Sequence, residues 1–412
     1  MKSSYKRLGD FIHKIDVRNK NSQNIKLLGL SMTKKFRPHA SNIIGTDLSR
    51  YKIVDHWQFA CDFMSTIRVR KLPVVLQKND EQIIVSPAYT AFEVIDSNEL
   101  HPEYLMMWFR REEFDRYAYF CCDSAVRGGF NWDELCDVKL PVPSIDKQRE
   151  IVKEYNTIVN RIKLIEEINQ KLEETAQALY KHWFVDFEFP NENGQPYKSS
   201  GGKMVYNNEL DKNIPEVWEV KAYTEVVELK GGGTPRTTEP TFWGGNIPFF
   251  TPKDIDDSYY CLITEKYITG AGLDNCSSKL YPKNTVFVTA RGTVGAISLA
   301  GSPMAMNQSC YAILGNDIIG AYYIHQLTLE TIKSLKKEAV GAVFKALVTK
   351  DFEGKKVLDP GKVLSKAYDS KITPIYDTLL NNSKQINALK KLTDLVLQKI
   401  SKVESIQTTE TT

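Results

Sequence analysis

Cysteine is scarce in this sequence, and its spacing argues against the common cysteine-based sites. Seven cysteines occur in 412 residues; Cys121 and Cys122 are adjacent, and no two have the CxxC spacing. Zinc ribbons are built from CxxC pairs, and disulfide frameworks belong to short secreted chains with regularly spaced cysteines. We therefore expect neither, and the pattern is typical of the reducing cytoplasm.

Long apolar runs are also missing. The most apolar window, Tyr104–Phe109 (YLMMWF), is far too short to cross a bilayer. The first twenty residues contain no apolar core and no small-residue cleavage site, so we expect no signal peptide. The formal net charge is only +3. Binding to an acidic partner must therefore depend on local basic faces.

The motifs of common enzymes are absent as well. The sequence contains no GxxxxGK[ST] phosphate loop, no Asn-Pro-Pro-Tyr methyltransferase motif, no GxGxxG after a strand and no HExxH. Six histidines are scattered along the chain, and a lone histidine is more often packed or exposed than catalytic. We expect no catalytic residue, no bound cofactor and no metal site in this chain.

The chain resembles itself after a shift of roughly 214–218 residues, far too long a period for a solenoid. Asn98–Tyr104 parallels Asn316–Tyr322, and Ala125–Phe130 parallels Ala339–Phe344. The constant order of these weak matches predicts two similar domains in series. In each copy, short β-like runs with turn signals precede a long helix.

Two seams of apolar residues predict the two long helices. Spacings of four and three residues recur from Ile151 to Trp183 and again from Ile375 to Val403. Pro374 removes a backbone donor, so it should kink the second helix or mark its start. A helix from Asp146 to Phe184 would be roughly 55–60 Å long and could hold two similar domains apart at a fixed distance.

Each seam has an asparagine near its middle, Asn169 in the first and Asn382 in the second. Setting these residues opposite each other in an antiparallel pair also aligns the apolar positions on either side. We predict an antiparallel coiled coil whose register is fixed by the two asparagines. The alternative is two unrelated amphipathic helices, each packed on its own domain.

Six segments carry a family resemblance: LGLSMTKKFRPHASNIIGTDLSRYKIV (28–54), LPVPSIDKQREIV (140–152), ALYKHWFVDFEFP (178–190), IPEVWEV (214–220), GGGTPRTTEPTFWGGNIPFFTPKDI (231–255) and TARGTVG (289–295). Together they resemble the specificity subunit of Type I restriction–modification systems. The WFVDF and GGGTP…FWGGNIPFFTPKDI blocks are specific, whereas the long helices alone would not be.

The resemblance implies a mixed α/β (α+β) fold with pseudo-two-fold symmetry, in which two target-recognition domains alternate with two long helices. The expected limits are 1–143 and 214–358 for the two domains, 144–190 and 359–404 for the helices, 191–213 for a loose linker and 405–412 for a disordered tail.

The resemblance also implies a role and partners. A non-catalytic subunit of this family would read a split sequence in double-stranded DNA, with two methyltransferase subunits docked on its helices. A motor-nuclease restriction subunit can join such a complex. Methylation would use S-adenosylmethionine bound by the methyltransferase partners and not by this chain.

DNA reading requires side chains that reach base edges, namely Arg or Lys for guanine, Asn or Gln for adenine and Ser or Thr for either. Phosphates are contacted by basic and hydroxyl side chains and by amides in glycine-rich turns. The candidate DNA-binding residues on this basis are Thr33, Lys34, Lys35, Arg37, Arg68, Arg70, Thr234, Arg236, Thr237, Lys253, Arg291, Thr293, Asn307 and Gln308. Ordinary polar loops are the alternative, and for Ile67–Lys71 a solvated strand edge.

Two other functions stay open at this point. The chain could be a coiled-coil scaffold that binds only proteins, or a hydrolase or transferase with a cryptic site. The aromatic residues Trp183, Phe184, Phe187 and Phe189 should pack the first helix against a neighbouring domain, with partner docking as the alternative.

Overall fold

The computed structural model describes residues 5–20, 25–38, 46–123, 130–256, 258–315, 320–338 and 346–402. The chain forms two compact units: unit 1 comprises residues 1–162 and 388–412, and unit 2 comprises residues 163–387. The division reflects which residues pack together, and its boundary crosses each of the two long helices once. The repeat matches over 125–129, 316–319 and 339–344, and the predicted tail, fall outside the described residues.

Unit 1 is built from short strands and helices around an aromatic core. Strands β1 to β10 span Tyr5–Arg7, Ile12–Ile15, Lys26–Leu30, Phe36–Pro38, Lys52–Val54, Gln58–Cys61, Val74–Leu76, Ile83–Val85, Thr90–Val94 and Lys139–Pro141. Helices α1 to α5 span Thr66–Val69, Pro102–Phe109, Glu112–Asp123, Trp132–Asp137 and Ile145–Tyr180. Phe59 and Phe92 stack at 4.8 Å on adjacent strands.

Unit 2 contains the remaining elements. Strands β11 to β22 span Met204–Asn207, Lys212–Pro215, Glu219–Ala222, Val227–Gly231, Trp243–Phe250, Tyr260–Cys261, Lys266–Ile268, Val286–Thr289, Ile297–Ala300, Ala305–Met306, Cys310–Gly315 and Lys356–Asp359. Helices α6 to α10 span Tyr223–Val226, Gly270–Asp274, Ala321–Glu338, Thr349–Glu353 and Gly361–Lys399. Strand β18 (VFVT) is buried along its whole length because it lies in the middle of a five-stranded sheet.

The two units use the same strand order. In unit 1 a sheet has the order β2-β9-β6-β7, and in unit 2 the order β14-β21-β18-β19 begins a longer sheet. All of these pairings are antiparallel in both units. Each unit also pairs an early strand with the strand just before its long helix, as β1 with β10 and β13 with β22. This repeated topology is what a duplicated domain predicts.

Of the two alternatives for Pro374, a start of the second helix at this residue is excluded. Helix α10 begins at Gly361, where a φ of +80° suits glycine, and Pro374 lies inside it. The supposed loose linker over 191–213 includes strand β11 and the start of β12, which form a hairpin. Its side chains Met204 and Val205 pack on the core of unit 2.

The aromatic residues at the end of α5 pack as predicted. All four are buried in unit 2. The ring centroid of Phe184 lies 4.8 Å from that of Tyr323, and Phe189 stacks on Trp218 at 5.2 Å. These contacts hold the end of α5 and its π-helical turn Lys181–Val185 against the domain that follows.

The long helices run antiparallel within unit 2. Asn382 Nδ2 donates a hydrogen bond to Asn169 Oδ1 at 2.7 Å, and the Tyr368 hydroxyl donates to the Ala176 carbonyl at 3.3 Å. From Tyr368 to Asn382 on α10, the partner on α5 changes from Ala176 to Asn169. The two helices therefore run in opposite directions. In unit 1, the Lys399 ammonium approaches the Glu154 carboxylate at 3.3 Å.

Removing one asparagine of this pair should destabilise unit 2. Asn382 is 9% exposed, so Asn169→Ala leaves its buried amide without this partner, at a cost of about 1–3 kcal/mol. Thermal unfolding of the purified chain measures the effect. Asn381→Ala is the matched control because Asn381 directly precedes Asn382 on the same helix and is exposed. Equal unfolding temperatures for the two variants would contradict the prediction.

Two kinds of feature are absent from the described ranges. No helix there has both the length and the apolar character to cross a membrane. No group of three or more His, Cys, Asp and Glu side chains is placed to hold a metal ion.

Candidate nucleic-acid interface

Four polar loops of unit 2 converge. The unit 2 loop cluster comprises residues 231–238, 251–254, 289–293 and 307–308. Backbone hydrogen bonds join them: Gly233 N–H to the Met306 carbonyl at 3.1 Å, Asn307 N–H to Phe250 at 3.0 Å, and Ala290 N–H to Ser309 at 2.8 Å. Segments far apart in sequence are thus brought to one surface.

Two of the three glycines in the glycine turn are packed too tightly for any other residue. A Cβ on Gly232 would lie 2.1 Å from the Asn307 carbonyl oxygen, and one on Gly233 would lie 2.1 Å from Ser277 Oγ. The Thr234 hydroxyl then donates to Gln308 Oε1. Two of the predicted DNA-binding residues therefore contact each other.

Arg291 is exposed at the tip of a turn that is stabilised from within. The Thr289 hydroxyl donates to the Thr293 carbonyl and accepts from the Ala296 N–H at 3.0 Å. Gly292 has a φ of +81°, in the left-handed region that favours glycine. Among the described residues, the Arg291 guanidinium has no ion-pair partner, so it is available to a ligand.

Arg236 is exposed on the neighbouring turn. Its backbone carbonyl accepts the indole N–H of Trp243 at 3.1 Å, which fixes the turn. Its guanidinium also has no ion-pair partner within the part of the chain that the structure describes. The exposed hydroxyl of Thr237 follows directly.

Lys253 is positioned by a capping box that the sequence prediction missed. The Asp254 carboxylate accepts from the Thr251 N–H and the Thr251 hydroxyl, both at 2.7 Å. The TxxD spacing of these residues is a known sequence signal for such a box. The Lys253 side chain is 80% exposed, with its ammonium 4.0 Å from Glu265.

The candidates of the first hairpin of unit 1 divide into exposed and buried residues. Thr33, Lys35 and Arg37 are exposed on or beside the turn between β3 and β4. Lys34 is only 4% exposed, and its ammonium pairs with Asp115 Oδ1 at 2.8 Å. The structure therefore does not place Lys34 on the surface with its neighbours, because its charge is already paired in the interior.

The environment of Lys34 lowers its pKa. Burial is the main cause, because it disfavours the charged form, while the Asp115 carboxylate opposes it. The ammonium also donates to the Phe109 carbonyl. Sequence reasoning missed Asp115 because nothing local marks an aspartate 81 residues away as the partner of Lys34.

Arg68 and Arg70 lie on a short helix and its end, not on a strand edge as the alternative proposed. Both side chains are exposed. Arg70 caps α1 in the left-handed conformation, with a φ of +56°, and its guanidinium carbon lies 5.3 Å from the ring centroid of Tyr119. This contact directs Arg70 along the surface of α3.

The buried histidine of unit 2 has a packing role. His325 Nδ1 lies 2.7 Å from the Tyr376 hydroxyl, and burial lowers the pKa of the imidazole to about 3. A permanently neutral ring inside the core agrees with the expectation that a lone histidine here is structural.

Comparisons with known proteins give a consistent picture. A family model described as "Type I restriction modification DNA specificity domain" matches residues 215–394. The Type I restriction enzyme MjaIX specificity subunit of Methanocaldococcus jannaschii is 26% identical over 316 residues, covering 74% of this chain and 70% of the relative. The Type I restriction enzyme HindI specificity subunit of Haemophilus influenzae is 24% identical over 369 residues, covering 76% and 79%.

A solved structure supports the fold. The crystal structure of a Type I restriction–modification system S subunit from M. genitalium matches 96% of this chain and 95% of its own, with a TM-score of 0.54 and 13% sequence identity. At this identity the likeness concerns the fold alone.

Proposed function

We propose that this chain, which belongs to the specificity subunits of Type I restriction–modification systems, reads two separate halves of one DNA target. The observation that carries the proposal is the unit 2 loop cluster, whose exposed turns are joined by backbone hydrogen bonds. Arg236 and Arg291 lie on these turns and have no ion-pair partner among the described residues. Unit 1 offers a second set of exposed basic and hydroxyl side chains in Thr33, Lys35 and Arg37.

These side chains have the chemistry that DNA reading needs. Arginine can donate two hydrogen bonds to guanine in the major groove, while Asn307 and Gln308 suit adenine. Threonine hydroxyls and the amides of the glycine turn suit phosphate oxygens. Because backbone hydrogen bonds hold these turns, less backbone entropy should be lost when they bind a ligand.

The chemistry of modification would belong to partners. In this proposal the chain is non-catalytic, and two methyltransferase subunits bind S-adenosylmethionine and flip out the adenine that they methylate. The exposed faces of α5 and α10 are their proposed docking surfaces, and a restriction subunit can join the same complex. Exposed charges on α5 include Lys153, Arg161, Lys163, Glu166, Glu167 and Lys171.

The strongest competing function is a scaffold that binds proteins without reading DNA. The salt dependence of DNA binding by the assembled complex separates the two. Neutralising phosphates releases counterions, so a DNA reader should lose about a thousandfold or more in affinity between 50 and 200 mM salt if it makes six or more phosphate contacts. A scaffold would bind target and random duplexes equally weakly.

The direct test is co-expression with a Type I methyltransferase subunit from the same genome, followed by genome-wide mapping of methylated adenines. We expect a split motif with two specified halves. Exchanging residues 214–358 for the matching segment of a relative should change one half and leave the other intact. A methylation map without a split motif would overturn the proposal.

A further inference from the structure

One carboxylate in unit 1 holds together two segments that carry candidate DNA-binding residues. Asp115 Oδ1, on α3, accepts a hydrogen bond from Lys34 Nζ at 2.8 Å and from the Leu72 backbone N–H at 3.1 Å. Lys34 lies in the turn between β3 and β4. Leu72 directly follows the exposed residues Arg70 and Lys71. The turn that contains Lys34 and the segment that contains Leu72 therefore donate hydrogen bonds to the same oxygen atom.

The junction is buried from solvent. Lys34 is 4% exposed, Asp115 is 8% exposed and Leu72 is fully buried. The Lys34 ammonium also lies 5.5 Å from the centroid of the Phe114 ring and donates to the Phe109 carbonyl. A buried charge is costly unless it keeps its partner and its hydrogen bonds, so alternative positions of Lys34 in the interior are strongly disfavoured.

The surface residues lie very close to this junction along the chain. Thr33 and Lys35 are the immediate neighbours of Lys34, and consecutive Cα atoms are about 3.8 Å apart. The backbone of Lys34 itself is left-handed, with a φ of +57°, so the turn has little freedom to adjust. A shift of the ammonium or of the carboxylate would therefore move the exposed side chains on both segments.

We propose that Asp115, through its ion pair with Lys34, is a positioning residue that sets the reading geometry of unit 1. It fixes the Ser31–Lys35 turn relative to the Arg70–Leu72 segment without contacting DNA itself. The inference rests on the proposed function and identifies what determines specificity in one half of the target.

The test uses the full chain, co-expressed with its methyltransferase, carrying the double substitution Lys34→Met and Asp115→Asn. These changes remove both charges, keep similar side-chain volumes and leave an oxygen acceptor for the Leu72 N–H. The readout is the ratio of methylation at matched sites to methylation at sites with one mismatch. Unit 1 is assigned the half of the motif that is unchanged when residues 214–358 are exchanged.

We expect this ratio to fall about tenfold for mismatches in the half read by unit 1. The ratio for the half read by unit 2 should stay at its wild-type value. Lys139→Met is the matched control because Lys139 is an exposed lysine of the same unit, on β10. It should leave both ratios unchanged. Lys35→Met should lower methylation uniformly across sequences, as expected for a phosphate contact.

Three results with the variants would overturn the inference and leave the proposed function intact. The first is wild-type discrimination by the double variant, and the second is an equal loss at both halves, which would indicate a general folding role. If the double variant does not fold, Asp115→Asn alone provides the comparison, and wild-type discrimination there is the third. A wild-type complex without a split motif overturns the proposed function and this inference with it, so the two failures are distinguishable.

Discussion

Gly232→Ala is expected to lower methylation of the target by about thirtyfold or more, because more than one base contact depends on this turn. A Cβ at this position would lie 2.1 Å from the carbonyl oxygen of Asn307 and 2.6 Å from that of Met306. Backbone atoms cannot rotate away as a side chain can, so the glycine turn and the Asn307–Gln308 segment must separate. Quantitative methylation of a duplex target by the purified complex measures the effect.

Gly231→Ala is the control for this prediction. A Cβ on Gly231 would meet nothing within 4 Å, so the neighbouring substitution should leave methylation at the wild-type level. Circular dichroism and thermal unfolding show whether either variant is folded. Equal methylation by the two variants would mean that the close approach at Gly232 does not position the reading loops.

Arg291→Ala and Arg236→Ala should each raise the activation free energy of target methylation by about 1–3 kcal/mol. This is the usual contribution of one bidentate base contact. Both side chains are exposed, and among the described residues neither has an ion-pair partner that would compete with DNA. The preference for one base should relax at one position of the half read by unit 2. Genome-wide maps of methylated adenines show both effects.

Lys283→Ala is the control for the arginine variants. Lys283 is an exposed cation just before β18, whereas Arg291 follows the other end of that strand. Removing its charge changes the net charge of unit 2 equally without touching the loop cluster. Wild-type methylation by both arginine variants would show that these residues are bystanders.

The helical pair illustrates what a periodic pattern can predict. Spacings of four and three residues placed both long helices, and the asparagine in each seam identified the residues that form the Asn169–Asn382 hydrogen bond. The effect of the proline was less predictable. The proline rule left a kink or a start at Pro374 open, and α10 runs through this residue from Gly361, close to the expected limit of 359.

The site was harder to predict than the fold. Basic residues in polar turns suggested side chains exposed to solvent. Lys35 and Arg37 are exposed, whereas Lys34 is buried. Glycine-rich segments suggested close backbone approach, but not which partner each glycine meets. Only the structure identifies Asn307 as the neighbour of Gly232.

The sequence alone determined the elements that depend on local order, namely the duplicated domains, the two long helices and the types of residue available to read DNA. The helices and the residue types follow from periodicity and composition over short stretches of chain, and the duplication follows from matches between such stretches at a shift of roughly 214–218 residues. The tertiary structure decided which cations face solvent and which loops meet. Lys34 is removed from the surface by an aspartate 81 residues away, and Thr234 meets Gln308 across 74 residues. Such pairings depend on how strands and helices pack, which short stretches of sequence do not encode.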